Sequence, residues 1–550
     1  MIAAGASGRE WAVFTTVLWL AVTLVALGLR PPLPVDETRY LAVAWDMWRD
    51  GNYIVPHLHG EPYSHKPPLL FWLMTAGWHV FGVNDWWPRL VAPLFGLGSM
   101  VLTMRLALAL WPGLVRAGAL APVLLFGAIF WTVFGTLTMF DMMLALFTLL
   151  AISGLVGAAR HGGRGGFVLA GVAIGLGVLA KGPAILLHVL PAALTAPWWV
   201  PLLAVAPATF DRRRWYMGVA GAVGLGVVIA LAWAIPAGIK GGAEYRAAIF
   251  WGQSAERMVD SFAHARPWWW YAAVLPGLVV PWLVWPPLWR AFRRLPGLIG
   301  DGGMRLCLTW FATAFVAFSL ISGKQLHYLL PEFPALALLA ARLLGPVDAT
   351  DAEIDARPLD RWLPGGLAMA LGAAVMVAPR LHLPERAMET VSEIEPIWGS
   401  LVLIAGALVV VFPATGLIRQ AVRLASVSAF MVIAVHLAAK PLLAKRYDLE
   451  AMAGHIAALE RDGKEIAYFG KYHGQFDFLG RLKRPITAIG LDTGDEEKFL
   501  KANPAGVVIA KYDNLPTEAA PLFTHYFRSY IYAAWPAAAL TAHPGLGSRR

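Results

Sequence analysis

Long apolar runs constrain this chain more than any other feature of its sequence. The first covers residues 11–29, and runs of similar length recur as far as residue 439. A helix needs about 20 apolar residues to cross the hydrocarbon core of a bilayer. Of the 550 residues, 58% are hydrophobic and only 15% are charged, which excludes a set of soluble domains. The sequence therefore predicts a polytopic α-helical membrane protein.

About thirteen of these runs are long enough to span a bilayer. We interpret the first as a retained signal anchor, because a proline-rich stretch follows it in place of a small-residue cleavage site. The stretch 165–205 can be divided into spans in more than one way. The predicted spans lie at 11–29, 87–111, 115–135, 137–158, 165–183, 185–205, 214–238, 267–289, 304–321, 328–346, 361–379, 397–416 and 419–439.

Arginines set the predicted orientation of these spans. They are concentrated in alternate loops, whereas the intervening loops are less basic or mixed in sign. The arginines of the basic set are Arg116, Arg160, Arg164, Arg212, Arg213, Arg214, Arg290, Arg293, Arg294, Arg342, Arg357, Arg361, Arg419 and Arg423. The positive-inside rule makes their loops cytoplasmic and, with an odd number of spans, places the C-terminus outside. Much of the net charge of +10 thus comes from arginines that orient the spans, and it predicts no nucleic-acid partner.

The predicted membrane domain, residues 1–439, has two outer segments that are too long to be simple connectors. They cover residues 30–86 and 239–266. The first contains amphipathic segments at 41–48 and 69–81, which suit helices lying along the membrane interface. Because long ordered loops usually carry function, these two loops are the expected location of a functional site.

Residues 440–550 return to the composition of a soluble protein. A helical pattern covers 448–461, and short buried strands are predicted at 465–470 and 506–510. These patterns favour a small α/β domain on the outer, periplasmic face. The single cysteine of the chain, Cys307, excludes intramolecular disulfides and multi-cysteine metal sites.

Ionisable motifs collect at the predicted outer face. A charge at membrane depth costs about 2.5–3.5 kcal/mol on insertion scales, so several that converge on one face indicate a water-filled site. Nearly all of them come from the two long outer loops or from the outer ends of spans. They comprise Asp36, Glu37, Arg39 and Tyr40 of DETRY, Tyr63, His65 and Lys66 of YSHKPP, Asp141, Lys181, Glu256, Arg257, Lys324 and Tyr328.

Each of these motifs also has a purely structural interpretation. The acidic pair after the first span could solvate its loop, and Asp141 could cap its own helix. Lysines at span ends anchor helices in the interface, an alternative that applies to Lys66, Lys181 and Lys324.

The second outer loop and the histidines leave similar alternatives open. Glu256 and Arg257 could form a local ion pair. His65 and His264 are weak candidates for metal ligands, because no HxxxH or HExxH spacing accompanies them. We interpret both as hydrogen-bonded loop histidines. The sequence requires no cofactor, although it leaves room for a divalent metal.

Acids and bases together at an outer membrane face suit the transfer of a sugar from a lipid phosphate. Carboxylates can position a sugar or activate a nucleophile, and Lys, Arg and Tyr can hold the departing phosphate. Neither GxxxxGK[ST] nor GxGxxG after a strand occurs, so a nucleotide-sugar donor is not predicted.

The motifs DETRY at 36–40 and YSHKPP at 63–68, with the region of Asp141, resemble the bacterial aminoarabinose transferases of lipid A. These belong to the GT-C membrane glycosyltransferases, and protein O-mannosyltransferases share a similar acidic pair. The likeness covers essentially the whole chain. It implies a GT-C fold and inverting transfer of 4-amino-4-deoxy-L-arabinose from undecaprenyl phosphate to lipid A phosphates. It also implies a periplasmic site at the inner membrane, a monomer among membrane lipids, and resistance to polymyxin.

The resemblance also implies roles for individual residues. Asp36 and Asp141 would be the catalytic carboxylates. A lipid A phosphate is already ionised at neutral pH, so Asp36 would orient the acceptor or bind the sugar's ammonium group. His65 departs from the acidic residue that is frequent in related enzymes, which leaves its role open. The substrate-binding residues implied are Glu37, Arg39, Tyr40, Tyr63, Lys66, Arg257 and Tyr328.

Three other functions remain as alternatives. A relative could transfer another sugar from a polyprenyl phosphate to a protein or glycan hydroxyl, with Asp36 as a true base. A lipid transporter or flippase would show inverted repeats and charges at mid-membrane, and the sequence shows no internal repeat. A scaffold for envelope assembly would leave Asp141 and the HKPP motif unexplained.

Overall fold

Helices make up most of the chain as far as Arg446. In the computed structural model, the described residues are 8–205, 209–251, 265–346, 356–382, 384–490, 494–544 and 546. The helices up to residue 205 are α1 (Gly8–Leu29), α2 (Asp36–Asp50), α3 (Leu69–Phe81), α4 (Trp86–Leu110), α5 (Val115–Gly127), α6 (Ile129–Phe134), α7 (Asp141–His161), α8 (Arg164–Lys181), α9 (Ile185–Leu194) and α10 (Ala196–Trp199). The later ones are α11 (Arg212–Lys240), α12 (Gly242–Ala247), α13 (Trp270–Leu278), α14 (Pro286–Ala291), α15 (Leu295–Leu298), α16 (Gly302–Leu320), α17 (Phe333–Leu344), α18 (Leu359–Val377), α19 (Glu385–Val391), α20 (Gly399–Val411) and α21 (Leu417–Arg446).

Seven helical stretches among the described residues are long and apolar enough to cross a membrane, by length and composition. They lie at Trp86–Leu110, Asp141–His161, Arg164–Leu194, Arg212–Lys240, Gly302–Leu320, Leu359–Arg380 and Leu417–Arg461. Shorter apolar helices occur at Val13–Leu29, Leu69–Phe81, Val115–Gly127 and Pro396–Val411. The prediction of a polytopic α-helical membrane protein is confirmed.

Glycines and close packing interrupt several of the predicted spans. The span 115–135 is divided into α5 and α6 just after Gly127, where a side chain would collide with Trp282. In the run 165–205, by contrast, α8 ends close to the predicted division, at Gly182, whose φ of 76° lies in the region that favours glycine. Irregular backbone at membrane depth is tolerated where protein covers it. The apolar runs thus mark where the chain enters the membrane, but not where each helix ends.

The first long loop folds onto one face of the membrane domain. Its helix α2 begins at Asp36, earlier than the amphipathic segment predicted at 41–48, and α3 occupies the predicted 69–81. Between them β1 (His57–Leu58) and β2 (Glu61–Pro62) pair antiparallel. Helices α2 and α3 pack against each other. We call the face that carries this loop the α2 face.

The C-terminal residues form a mixed sheet flanked by helices. Helix α21 continues to Arg446, so the predicted domain boundary at residue 439 is too early. The reason is that composition becomes polar in the last turns of α21 while the backbone remains helical. The elements that follow are α22 (Glu450–Arg461), β3 (Ile466–Phe469), β4 (Thr487–Ile489), α23 (Asp495–Ala502), β5 (Val507–Tyr512), β6 (Phe523–Phe527), β7 (Tyr530–Pro536) and α24 (Ala537–Ala542).

The sheet of this domain has the strand order β4-β3-β5-β7-β6. The strands β3, β4 and β5 are parallel, and β7 pairs antiparallel with both β5 and β6. An apolar core lies on each side of the sheet, one containing Ile456 of α22 and the other Phe499 of α23. The strands predicted at 465–470 and 506–510 are confirmed as β3 and β5.

The segment after β3 holds the C-terminal domain on the α2 face. Gly474 has a φ of 74° and lies so close to α2 that a Cβ there would be 2.8 Å from the Ala42 Cβ. Farther along the segment, the carbonyl of Leu482 accepts a hydrogen bond from the Trp45 indole nitrogen at 2.8 Å. Two loops distant in sequence are therefore packed into one structure above the membrane helices.

Two carboxyl groups, Asp46 of α2 and Asp477 of the C-terminal domain, are buried in this contact. Burial raises the pKa of Asp477 to about 7, although the Tyr472 hydroxyl donates to it. Burial likewise raises the pKa of Asp46 to about 6, against the opposing effect of Arg49, whose Nη1 is 3.0 Å away. The groups that act on the pair are Arg49, Asp50, His57, Glu460, Tyr472 and the backbone N–H of Gly60.

We expect this contact to be more stable in mild acid than in mild base. The folded-state pKa of both carboxyls lies above the unfolded value of about 3.9. Their stabilisation is therefore complete below that value and is lost as pH rises through about 6 to 7. Thermal unfolding of the purified protein at about pH 5 and about pH 8 measures the difference. The Asp477→Asn variant should show a smaller difference, and an undiminished one would refute this assignment.

Candidate active site

Asp141 lies at the α2 face as the first residue of α7, with only 2% of its surface exposed. The Nζ of Lys181, the last residue of α8, forms an ion pair and a hydrogen bond with its carboxylate. Helices α7 and α8 are antiparallel neighbours joined through Gly162, whose φ of 64° permits the tight turn. The start of one helix and the end of the other therefore meet at the same face.

Further cationic and aromatic side chains surround this ion pair. The Nζ of Lys181 lies 4.8 Å from the ring centroid of Tyr328, and that of Lys66 lies 5.8 Å from the ring of Phe140. Lys66 and His327 both act electrostatically on Asp141. One carboxylate with two lysines is a net positive group, which suits an anionic phosphate.

Asp36, the first residue of α2, is more exposed than Asp141, with 55% of its side chain accessible. Its carboxylate pairs with Arg39 and accepts a hydrogen bond from the Tyr40 hydroxyl at 3.4 Å. The Tyr40 ring meets Phe140, the neighbour of Asp141, edge to face at 4.9 Å. The two predicted carboxylates therefore lie in adjoining parts of one site, one open and one buried.

Aromatic packing brings the YSHKPP motif to the same place. The rings of Tyr63 and Phe71 are 6.3 Å apart, and those of Phe71 and Phe140 are 5.7 Å apart. His65 packs against Tyr63 with 5.4 Å between ring centroids. The residues Asp36, Arg39, Tyr40, Tyr63, Lys66, Asp141 and Tyr328 are thus brought together, as the motifs predicted.

Glu37 faces the other way from Asp36. Its buried carboxylate pairs with Arg30 and accepts hydrogen bonds from the backbone N–H groups of Leu33 and Thr138, at 2.8 and 2.7 Å. Burial alone would raise the pKa of Glu37, but Arg30 and these N–H groups lower it to about 2. Through these contacts Glu37 connects the end of α1, the start of α2 and the turn before α7. It has this structural role rather than the substrate contact expected from the sequence.

Several other candidates have different outcomes. Arg257 and His264 lie outside the described residues. Lys324 is buried and donates to the carbonyl of Arg266 at 3.0 Å, a structural role. Where the structure describes the chain, it contains no group of three or more His, Cys, Asp or Glu side chains that could hold a metal.

Lys181 and His327 join the site although neither was among the residues given a catalytic or substrate-binding role. Lys181 had an equally good interpretation as an interfacial anchor, and His327 lay unremarked between Lys324 and Tyr328. The available signal was position: both stand at the end of an apolar run on the face that carries Asp141.

Comparison with known proteins gives this site a context. Residues 65–233 match the family model of dolichyl-phosphate-mannose-protein mannosyltransferases. A curated relative from Serratia proteamaculans, an undecaprenyl phosphate-alpha-4-amino-4-deoxy-L-arabinose arabinosyl transferase, is 29% identical over 60% of this chain and 59% of its own. A relative of the same name from Erwinia tasmaniensis is 28% identical over 70% and 69%. The chain thus spans about three fifths of the Serratia relative's length.

Solved structures extend the likeness to nearly the whole chain. Apo ArnT from Cupriavidus metallidurans superposes with a TM-score of 0.76, covering 97% of this chain and 99% of that one at 20% identity. The chain has the ArnT fold. The same protein bound to undecaprenyl phosphate gives a TM-score of 0.73 at 19% identity. The predicted GT-C fold and the resemblance to aminoarabinose transferases are confirmed.

Proposed function

We propose that the protein is an inverting glycosyltransferase of the bacterial inner membrane. It moves 4-amino-4-deoxy-L-arabinose from undecaprenyl phosphate to phosphate groups of lipid A at the periplasmic face, and so confers polymyxin resistance. The observation that carries the proposal is the Asp141–Lys181 pair enclosed by Lys66 and Tyr328. The names of the curated relatives support the choice of donor.

The donor phosphate belongs at the lysines. Lys66 and Lys181 approach Asp141 from different elements, and Tyr328 lies beneath Lys181. The donor is a phosphodiester with one negative charge, whereas the departing undecaprenyl phosphate carries up to two. Cations that face the leaving oxygen therefore bind the transition state more strongly than the ground state.

The acceptor belongs on the open side, beside Asp36. An oxygen of the acceptor phosphate bonds to the anomeric carbon from the side opposite the leaving group, which inverts that centre. The bond from this carbon to the donor phosphate oxygen breaks, and its electron pair departs with undecaprenyl phosphate. The acceptor oxygen is already anionic, so Asp36 serves to bind the ammonium group of the sugar rather than to remove a proton.

Mass spectrometry of lipid A tests this function. A transferase-deficient, polymyxin-sensitive strain carrying the gene should gain aminoarabinose on its lipid A phosphates, and the Asp36→Asn variant should not. Asp50→Asn is the matched control, because Asp50 lies on the same helix, pairs with the adjacent Arg49 and is 44% exposed. No gain with the wild-type protein in the membrane and donor present would overturn the proposal, as would a fully active Asp36→Asn variant.

A second function is favoured by the family match at residues 65–233. Transfer of a polyprenyl-linked sugar to a protein or glycan hydroxyl would use the same donor side. Its nucleophile would need deprotonation, so activity would follow the ionisation of Asp36. Sugar found on a periplasmic protein or glycan, with lipid A unchanged, would favour this function over the first.

A further inference from the structure

The C-terminal domain reaches the open side of the site along α2. Its segment after β3 runs antiparallel to that helix, because Asp477 acts on Asp46 while Gly474 contacts Ala42 nearer the start of α2. Continuing in the same direction places the preceding residues beside the first turn of α2, which contains Asp36.

The electrostatic interactions of His473 agree with this placement. The half-buried imidazole is acted on by Arg39, Lys471, His59 and Asp36. Burial first, and then Arg39 and Lys471, lower the pKa of His473 to about 4. At neutral pH the ring is therefore neutral and has one N–H to donate, beside two permanent cations.

Two contacts hold this arrangement in place. The ring of Tyr472 packs against His59 of the β1–β2 hairpin, with 5.4 Å between centroids. From the β6–β7 turn, Arg528 donates to the carbonyl of Pro34 at 2.8 Å, two residues before Asp36. The C-terminal domain is thus fixed to the segments on either side of the open carboxylate.

Charge explains why the site needs this loop. An acceptor phosphomonoester carries up to two negative charges and must approach the carboxylate of Asp36, which repels it. Arg39 is paired with Asp36, so its single charge does not by itself balance both that carboxylate and the phosphomonoester. The lysines at Asp141 face the donor. Lys471 is exposed on the C-terminal domain and can supply further positive charge on the aqueous side.

We propose that residues 471–474 of the C-terminal domain, with Arg39, form the binding site for the phosphomonoester of the acceptor glycolipid. Lys471 supplies the charge, His473 donates a hydrogen bond, and Gly474 permits the close docking on α2. The loop leaves the carboxyl end of β3, whose parallel partners β4 and β5 lie on opposite sides of it. Open α/β sheets bind ligands at this kind of position. The assignment rests on the proposed transfer to a phosphate.

Steady-state kinetics with lipid A as acceptor test this site. Reversing the charge in Lys471→Glu should raise the acceptor KM by roughly tenfold to a hundredfold while leaving the donor KM unchanged. His473→Ala should shift the same parameter in the same direction. Lys66→Ala should instead change the donor KM. Lys501→Glu, at an exposed lysine of α23, is the matched control and should behave as the wild type.

Binding of lipid A without donor separates this proposal from the proposed function. The wild-type protein should bind lipid A more tightly than it binds dephosphorylated lipid A. The Lys471→Glu variant should lose that preference, and the Lys471→Arg variant should keep it. An unchanged preference and an unchanged acceptor KM in Lys471→Glu would overturn the site even if transfer occurs. A preference that depends on Lys471 would support the site even if the wild type transferred no aminoarabinose.

Discussion

Replacing Asp141 by asparagine is expected to slow sugar transfer by roughly 100- to 1,000-fold, the usual loss when a preorganised charge of an active site is removed. Asparagine retains the size of the side chain but not its charge. Lys181 then loses the partner that holds its Nζ at the start of α7. An ammonium group that must first be positioned stabilises the departing phosphate less than one already in place.

Initial rates with the purified variant, at saturating donor, measure this loss. Asp360→Asn is the matched control, because Asp360 is also a buried aspartate at a helix start and pairs with Arg290 at 2.7 Å. Asp360 lines the same cavity as Gln420, which is near the opposite end of α21 from the C-terminal domain. If removing any buried carboxylate slowed transfer, both variants would be slow. If Asp141 belongs to the active site, only the Asp141→Asn variant should lose activity.

The double variant sharpens this test. If Asp141 and Lys181 act as one unit, Lys181→Ala in the Asp141→Asn background should cost little more than either change alone. Additive losses would mean that the two residues contribute independently. Asp141→Asn with nearly wild-type rates would exclude Asp141 from the mechanism.

Replacing Glu37 by alanine is expected to have the largest effect on stability, about 3–5 kcal/mol in the free energy of unfolding. The change leaves the guanidinium of Arg30 buried without a carboxylate partner, with hydrogen bonds to the carbonyls of Thr136 at 3.0 Å and Pro31 at 3.5 Å. It also removes the acceptor for the backbone N–H groups of Leu33 and Thr138. The segments that contain Arg30, Leu33 and Thr138 would then lose the carboxylate that connects them.

Thermal unfolding in detergent, together with the yield of folded protein, measures this effect. The control is Glu465→Ala, because Glu465 pairs with Arg484 where both side chains are more than 40% exposed. Exposed pairs contribute about 1 kcal/mol or less, so this variant should unfold near the wild-type temperature. Equal losses in the two variants would contradict a special role for the buried pair. Activity should fall with Glu37→Ala only as far as folded protein is lost.

Much of the architecture follows from the residues alone. An apolar run that is long enough to cross the hydrocarbon core of the bilayer has to be helical there, because every backbone N–H and C=O must find a partner within the segment. The same argument places charged motifs at span ends, which is why Asp36, Lys66 and Asp141 could be expected near one face. The strands of the C-terminal domain were likewise evident from short apolar runs in polar surroundings.

Local pattern could not decide which way a side chain faces. Asp36 and Glu37 are adjacent on α2, and successive residues of a helix point about 100° apart. One carboxylate is therefore open and the other is buried against Arg30, although the two looked equivalent in sequence. Only the packing of α2 on the membrane helices selects between them.

The sequence by itself determined the fold class, the helical membrane domain and the residue types of the site, because these depend on composition and on patterns within single segments. Tertiary structure alone decided that Lys181 pairs with Asp141 and that the loop containing His473 lies beside Asp36. These contacts join residues 40 and 437 positions apart along the chain. Such contacts depend on how whole helices and domains pack together, which no local pattern of residues encodes.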